Sequence, residues 1–164
     1  MRLRFPLQAS TIRRDGPHEA LGNSYGIVRN NMTKWHKGWD LAAQPNTPAY
    51  AVADGKIVQR LPDVFGYGNC IILEFENPKY NKNLRMSTGI ANYEKIYALY
   101  AHLSQMGAVG PVAIGQLVGR TGISGNAAGE PPHLHFEILL ENALTHITPR
   151  VDPGELFGYG LYQC

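Results

Sequence analysis

Glycine and proline occur so often in this chain that they constrain its fold more than any other feature. The 164 residues include 18 glycines and 11 prolines. In a helix interior, glycine costs about 1 kcal/mol and proline about 3 kcal/mol relative to alanine, whereas turns between strands favour both residues. The composition therefore favours a β-rich domain with many tight turns over a helix bundle.

Short apolar runs alternate with turn residues from Trp35 onward. Most are rich in β-branched or aromatic residues and are bounded by Gly, Pro, Asn or Asp, which is typical of strands. These runs are Ala49–Ala53, Lys56–Arg60, Cys70–Phe75, Ile96–Ala101, Gly115–Arg120 and His133–Leu139. Asp54-Gly55, between the first two runs, predicts a hairpin turn. We expect a mainly β fold, a single compact antiparallel sheet or sandwich domain with few short helices.

The length predicts one domain. At 164 residues the chain is close to the ~150 residues of a typical domain. Residues 1–24 contain turn formers such as Asp15-Gly16-Pro17 and few apolar stretches, so we interpret them as an N-terminal arm. Residues 25–164 show no linker and no internal repeat, and we expect them to form the domain itself.

The charge balance is close to neutral and excludes a dedicated binder of polyanions. Lys and Arg number 15 against 13 Asp and Glu, a net charge of +2, so we expect no nucleic acid partner. No apolar run approaches the ~20 residues that a membrane span needs. The basic start of the sequence is followed by polar residues instead of an apolar segment, so no Sec signal peptide is expected.

Two cysteines are present, Cys70 and Cys164. This number excludes a disulfide-rich scaffold and a cysteine-rich zinc module. The sequence leaves two alternatives open: one disulfide between these residues, or two free thiols.

His133 and His135 lie two residues apart in an apolar run. On a strand, such residues share one face, so both imidazoles would point the same way while Leu134 and Phe136 enter a core. Two imidazoles ~6–7 Å apart can serve one site. The alternative is a solvated face of an edge strand.

His36 and Asp40 are separated by four positions, with Gly38 between them. A straight strand would place their side chains ~13 Å apart, too far for one metal ion, and the glycine disfavours a helix. A bend at Gly38, where glycine tolerates unusual φ values, would bring imidazole and carboxylate together. The alternative is an exposed loop in which both residues are incidental.

The histidines become informative when they are combined. A catalytic zinc ion takes three protein ligands and leaves the fourth position to water. His36, Asp40 and one of His133 or His135 would supply such a set. The remaining histidine of that pair and His102, at the end of a predicted strand, would then be available for proton transfer and oxyanion stabilisation.

Six segments, in this order, closely resemble the M23 (lysostaphin/LytM-like) zinc metallopeptidases, which cut peptide bonds in bacterial peptidoglycan. The segments are His36-x-Gly38-x-Asp40, Ala51–Val58, Gly66–Asn69, Tyr100–Ser104, Gly115–Gly119 and Pro132–Glu137. The resemblance spans roughly residues 25 to 140. It implies a compact antiparallel β fold in which a groove between loops has the site at its floor.

The resemblance also implies the role of each site residue. His36, Asp40 and His135 would bind Zn²⁺, and His102 and His133 would be catalytic. One of these two histidines would deprotonate or position the attacking water, and the other would stabilise the oxyanion and assist the leaving amine. Which of them acts as the base stays open.

The chain departs from the family pattern before His133. The connection Ser124–Pro132 is longer than that of the family, and we expect it to line the groove together with the polar segment Asn77–Glu94. With no Gram-positive targeting module, the cross-link between D-Ala and meso-diaminopimelate is favoured over glycine bridges as the substrate.

We therefore expect a monomeric zinc endopeptidase that acts on peptidoglycan peptide stems in the periplasm or cell wall. Without a signal peptide, it is expected to be a delivered antibacterial effector with a cognate immunity protein; a phage lysis enzyme and a trimmed housekeeping enzyme are the alternative settings. Two other functions remain: a non-catalytic cell-wall-binding or activator domain, which would lack a ligand, and a lipoyl-type carrier, which would need Lys56 at a hairpin tip.

Overall fold

The computed structural model describes residues 1–84 and 89–162, which form a mainly antiparallel β domain as predicted. Its strands are β1 Gly26–Arg29, β2 Lys34–His36, β3 Trp39–Ala42, β4 Pro48–Tyr50, β5 Gly55–Val64, β6 Gly68–Glu76, β7 Lys95–Ala101, β8 Leu103–Met106, β9 Gly110–Val112, β10 Leu117–Thr121, β11 His133–Leu139 and β12 Arg150–Val151. The α-helix α1 is Gly154–Phe157, and 3-10 turns lie at Leu21–Asn23, Ile90–Asn92, Gly125–Ala127 and Gly160–Tyr162.

Three sheets make up the domain. The largest has the strand order β12-β11-β7-β6-β5-β9. Strands β3 and β12 share one edge of β11: β3 pairs with its first four residues and β12 with its last two. A second sheet has the order β4-β10-β8, and β1 and β2 form a separate hairpin. All of these pairs are antiparallel. The pairing of β3 with β11 brings residues near position 40 beside residues near position 135.

The large sheet is apolar on both faces. One face carries Leu134 and Phe136 of β11 into the main core, which also includes Ala49 of β4 and Val118 of β10 from the second sheet. The opposite face holds a smaller apolar cluster that includes Leu139. Because side chains alternate along a strand, His133, His135 and Glu137 lie on the side of Leu139, so the two histidines share a face as predicted.

The N-terminal arm packs along the domain through backbone hydrogen bonds. The amide of Tyr50 donates to the carbonyl of Pro6, and the amide of Arg4 donates to Val52. Further along, the backbone amide of Arg13 donates to the carbonyl of Asp40 at 2.8 Å, and the amide of Ala42 donates to the carbonyl of Thr11. The arm therefore runs beside β3 and reaches the strand that carries Asp40.

The hairpin predicted at Asp54-Gly55 is wrong. The segments on either side of it do not pair, because β4 pairs with β10 and β5 pairs with β6 and β9. Gly55 is required for another reason: a Cβ there would lie 2.1 Å from the carbonyl oxygen of Glu74 on β6. Asp54 instead accepts a hydrogen bond from the amide of Ile114, at 2.8 Å.

Cys70 is buried in the smaller apolar cluster, and Cys164 lies outside the described residues.

Across residues 1–84 and 89–162, no helix is long and apolar enough to cross a membrane.

Candidate metal centre and catalytic site

The five predicted site residues converge at one end of the large sheet. His36, Asp40, His102, His133 and His135 all line one cavity of about 210 Å³. Each of them is at least nine-tenths buried. Strands β3 and β11 and the end of β7 supply most of them, so the fold unites residues that are up to 99 positions apart along the chain.

Asp40 and His135 are direct neighbours across the β3–β11 pair, where they occupy opposite positions in the register. The Oδ1 atom of Asp40 lies 2.7 Å from Nδ1 of His135. Register alone therefore fixes this part of the site, because opposed residues in an antiparallel pair hold their side chains close together.

The chain bends between His36 and Asp40, as the sequence predicted, and Nε2 of His36 lies 3.2 Å from Oδ1 of Asp40. Gly38 is not among the positive-φ glycines, so its use differs from the one expected. A Cβ at Gly38 would lie 2.2 Å from the carbonyl oxygen of Phe136. The glycine is needed because β11 passes close to the bend.

His36 has a nitrogen that suits a metal ion. Its Nδ1 lies 2.7 Å from the carbonyl oxygen of Ser24 and donates to it, so Nε2 carries a lone pair. Among the residues that the structure describes, this buried Nε2 has no hydrogen-bond partner, although Oδ1 of Asp40 lies 3.2 Å away. Ligand atoms of His36, Asp40 and His135 all lie within 4.8 Å of one another. A histidine–aspartate–histidine set of this kind suits zinc.

Glu137 supports the outer side of His135. Its Oε1 atom lies 2.9 Å from Nε2 of His135 and accepts a hydrogen bond from the hydroxyl of Tyr67, at 2.8 Å. Its Oε2 atom accepts from Nε of Arg150. Glu137 is fully buried. A carboxylate that receives the Nε2–H of an imidazole leaves Nδ1 to bind metal.

Burial raises the pKa of Asp40, but the hydrogen bond from His135 and the adjacent imidazole of His36 outweigh it and hold that pKa well below the usual range. Burial lowers the pKa of His135, and the two carboxylates on its ring nitrogens more than reverse this and raise it to about 9. Without a metal ion, His135 is therefore an imidazolium between Asp40 and Glu137. Metal binding at Nδ1 must release that proton.

Two arginines hold the outer oxygen of Asp40. Nη2 of Arg29 donates to Oδ2 at 2.5 Å, and Nη2 of Arg13 lies 3.8 Å from the same atom. Neither residue was predicted from the sequence, since neither belongs to a motif. Their contacts leave Oδ1 as the oxygen that faces the histidines.

His102 and His133 stand together beside the metal-binding set, with ring centroids 4.9 Å apart. His102 has a φ of +58°, a conformation that costs a non-glycine residue roughly 1–3 kcal/mol and concentrates at functional sites. Its Nδ1 lies 2.9 Å from the carbonyl oxygen of Ser124. Burial lowers the pKa of His102 to about 3, with help from the neighbouring His135 and His133. His102 is therefore neutral at physiological pH.

One of the two predicted groove-lining segments is placed as expected. Asn126 and Glu130, from the connection before His133, line the cavity. The described residues of Asn77–Glu94 do not line it, contrary to that expectation, and residues 85–88 of the segment lie outside the described part of the chain. This segment leaves β6 at Glu76, about 27 Å of strand away from Gly68 at the site end.

No family model matches the chain. The DD-carboxypeptidase/endopeptidase Mpg of Neisseria meningitidis is 35% identical over 103 residues, which are 62% of this chain. The chain thus spans only 19% of the length of that curated relative.

Two solved structures share the fold. The catalytic domain of the antimicrobial peptidase lysostaphin from Staphylococcus simulans has a TM-score of 0.59 and 30% identity, covering 81% of this chain and 87% of that domain. A variant of the catalytic domain of the prophage-encoded M23 protein EnpA from Enterococcus faecalis has a TM-score of 0.59 and 22% identity, covering 92% and 97%.

Proposed function

The chain belongs to the M23 peptidases, and on this premise we propose that it is a zinc-dependent endopeptidase that hydrolyses peptide cross-links of bacterial peptidoglycan. One observation carries the proposal: three donor atoms within 4.8 Å of one another lie in a cavity that two further histidines also line. All five chemistry-bearing positions are present, which argues against a non-catalytic cell-wall-binding domain.

His36, Asp40 and His135 would hold the zinc ion. When bound, zinc polarises a carbonyl group and lowers the pKa of a bound water toward ~7. The protein orients each ligand: Ser24 accepts from Nδ1 of His36, Glu137 accepts from Nε2 of His135, and Arg29 holds the outer oxygen of Asp40. These contacts fix which atom of each ligand faces the cavity.

His102 and His133 would move protons during the reaction. Each has its Nδ1 within 3.0 Å of a backbone carbonyl oxygen, Ser124 for His102 and Pro131 for His133. Nε2 is then the nitrogen that each ring turns to the reacting groups. One imidazole takes a proton from the attacking water, and the other donates a hydrogen bond to the oxyanion and assists departure of the amine.

The cavity favours a substrate that carries a carboxylate. Lys34 and Lys37 line it and would face such a carboxylate, whereas Arg29, also in the lining, is already paired with Asp40. In a cross-link between D-Ala and meso-diaminopimelate, a free carboxylate lies next to the bond to be cut, whereas a glycine bridge has none. We therefore assign a D,D-endopeptidase activity, in line with the name of the Neisseria relative.

The proposed substrate places the activity in the periplasm or cell wall. Delivery as an antibacterial effector, a cognate immunity protein and a monomeric state stay predictions from the sequence.

Digestion of purified peptidoglycan tests the substrate. Zinc-loaded protein is incubated with a meso-diaminopimelate-type wall and with a glycine-bridged wall, and products are identified by mass spectrometry. We expect cross-linked dimers of the first wall to become monomers, and a His133→Ala variant to leave them intact. Cleavage of the glycine-bridged wall alone would overturn the D,D-endopeptidase assignment, and cleavage of neither, with zinc bound, would favour the binding-only alternative.

A Glu137→Gln variant tests the support of His135. Glutamine keeps one oxygen for the Nε2–H of His135 but places an amide N–H against Nε of Arg150, which is itself a donor. We expect zinc affinity to fall by about 10–100-fold, measured by competition with a chromophoric chelator. The exposed Glu141→Gln is the matched control; equal affinities for both variants would contradict the supporting role.

A further inference from the structure

Arg13 of the N-terminal arm is buried against the site, with only 1% of its surface exposed. Its Nη1 atom lies 2.9 Å from the carbonyl oxygen of Pro131 and 3.1 Å from Nδ1 of His133. Its Nη2 atom donates to Asn23 and Glu130. An arginine that lies 120 positions before His133 in the sequence thus contacts the Nδ1 side of its imidazole.

The chemistry of the guanidinium restricts what His133 can be. Arginine carries its charge in proteins and offers only N–H donors. A ring nitrogen 3.1 Å from Nη1 is stabilised there only as an acceptor, which requires Nδ1 to be without hydrogen. The neutral ring of His133 then carries its hydrogen on Nε2.

The carbonyl of Pro131 competes for the same nitrogen, since it lies 3.0 Å from Nδ1 and would accept a hydrogen there. Arg13 already donates to that carbonyl, so the oxygen is satisfied without His133. A charge-assisted hydrogen bond is also roughly twice as strong as a neutral one. On the other side of the ring, Nε2 lies 3.7 Å from Oδ1 of Asp40, and a carboxylate there favours an N–H.

His102 is in the opposite situation. Its Nδ1 faces the carbonyl oxygen of Ser124 at 2.9 Å, an acceptor that requires an N–H. Its neutral ring therefore keeps a lone pair on Nε2. The two adjacent imidazoles present different atoms to the cavity, a lone pair from His102 and an N–H from His133.

We propose that Arg13 is a positioning residue that holds His133 as the hydrogen-bond donor to the oxyanion and thereby leaves His102 as the base. This assignment rests on the proposed hydrolysis of peptide cross-links. In it, Nε2 of His102 takes a proton from the attacking water as the oxygen bonds to the carbonyl carbon. Nε2–H of His133 donates to the carbonyl oxygen, and the proton held by His102 passes to the leaving amine as the C–N bond breaks.

The tautomers are measured directly by ¹⁵N NMR of the zinc-loaded protein labelled at histidine, near neutral pH. Two-bond couplings and nitrogen shifts distinguish the ring nitrogen that bears hydrogen from the bare one. We expect hydrogen on Nε2 of His133 and on Nδ1 of His102. Hydrogen on Nδ1 of His133 in the wild-type protein would overturn the proposal without the need for any variant.

Arg13→Met removes the donor while keeping a long apolar side chain, and the exposed neighbour Arg14→Met is the matched control. We expect the hydrogen of His133 to move to Nδ1 in Arg13→Met, and kcat on a cross-linked muropeptide to fall about 10–100-fold with KM within twofold. The control is expected to match the wild type. Arg13→Lys restores a charged donor, so it is expected to recover the Nε2–H tautomer and part of kcat.

These readouts separate two kinds of failure. A wild-type protein that binds zinc but cleaves no peptidoglycan would refute the proposed function, while the tautomers would still report on Arg13. An active wild type with unchanged kcat and tautomer in Arg13→Met would refute the positioning role alone. Where Arg13→Met fails to fold, the wild-type tautomers and Arg13→Lys decide.

Discussion

An Asp40→Ala variant is expected to lose both zinc and activity and to be markedly less stable. Oδ1 of Asp40 faces His36 and His135, and Oδ2 is held by Arg29. Removal of the carboxylate therefore takes away one ligand and leaves a largely buried guanidinium without its anion. Breaking a buried pair on one side typically costs about 3–5 kcal/mol in the free energy of unfolding.

Metal analysis, chemical denaturation and muropeptide digestion measure these three effects. The exposed Glu76→Ala variant removes a carboxylate of similar charge from the same domain and is expected to behave like the wild type. Asp40→Asn keeps the shape of the side chain and is expected to regain part of the stability but not the zinc. One equivalent of zinc bound to Asp40→Ala with wild-type affinity would refute the assignment of Asp40 as a ligand.

The second large effect is expected at His102. Asparagine is the informative replacement, because it tolerates the left-handed φ of this position and its amide can donate to the carbonyl of Ser124. His102→Asn should therefore fold and bind one zinc ion while losing the group that transfers a proton. General acid–base catalysis contributes about 10²–10⁴-fold to a rate, and we expect kcat to fall within that range.

Steady-state kinetics on a purified cross-linked muropeptide measures the loss, with zinc content determined on the same samples. His146→Ala, at an exposed position outside the cavity, is the matched control. A His102→Asn variant that keeps full kcat would remove His102 from the chemistry. A variant that loses zinc as well would make His102 a part of the metal centre.

Part of the site could be predicted from the sequence because the two-residue periodicity of a strand determines which side chains share a face. His133 and His135 share a face since they are two apart on β11, and this was readable from the alternation with Leu134 and Phe136. The approach of His36 to Asp40 followed from the need for a bend at Gly38. The sequence attributed the glycine to an unusual φ, and this was wrong: Gly38 has no positive φ, and a side chain there would clash with β11.

Long-range supports could not be predicted. Arg13 and Arg29 reach Asp40 from an arm and a hairpin that contain no periodic pattern, and Arg150 reaches Glu137 from beyond the last long strand. Such contacts depend on how distant segments pack together, and the local spacing of residues in the sequence does not predict this. The same limit explains the error at Asp54-Gly55. The run before this turn dipeptide pairs with the distant β10, and the run after it pairs with β6 and with the distant β9.

The central claim is that the three donor residues hold one zinc ion that hydrolysis requires. The most direct measurement is a titration of metal-depleted protein with zinc, in which cleavage of a cross-linked meso-diaminopimelate muropeptide is followed at each step. We expect no cleavage without metal, a linear rise up to one equivalent, and a plateau beyond it. Cleavage by the metal-free protein, or one bound equivalent of zinc without cleavage of this muropeptide, would contradict the account.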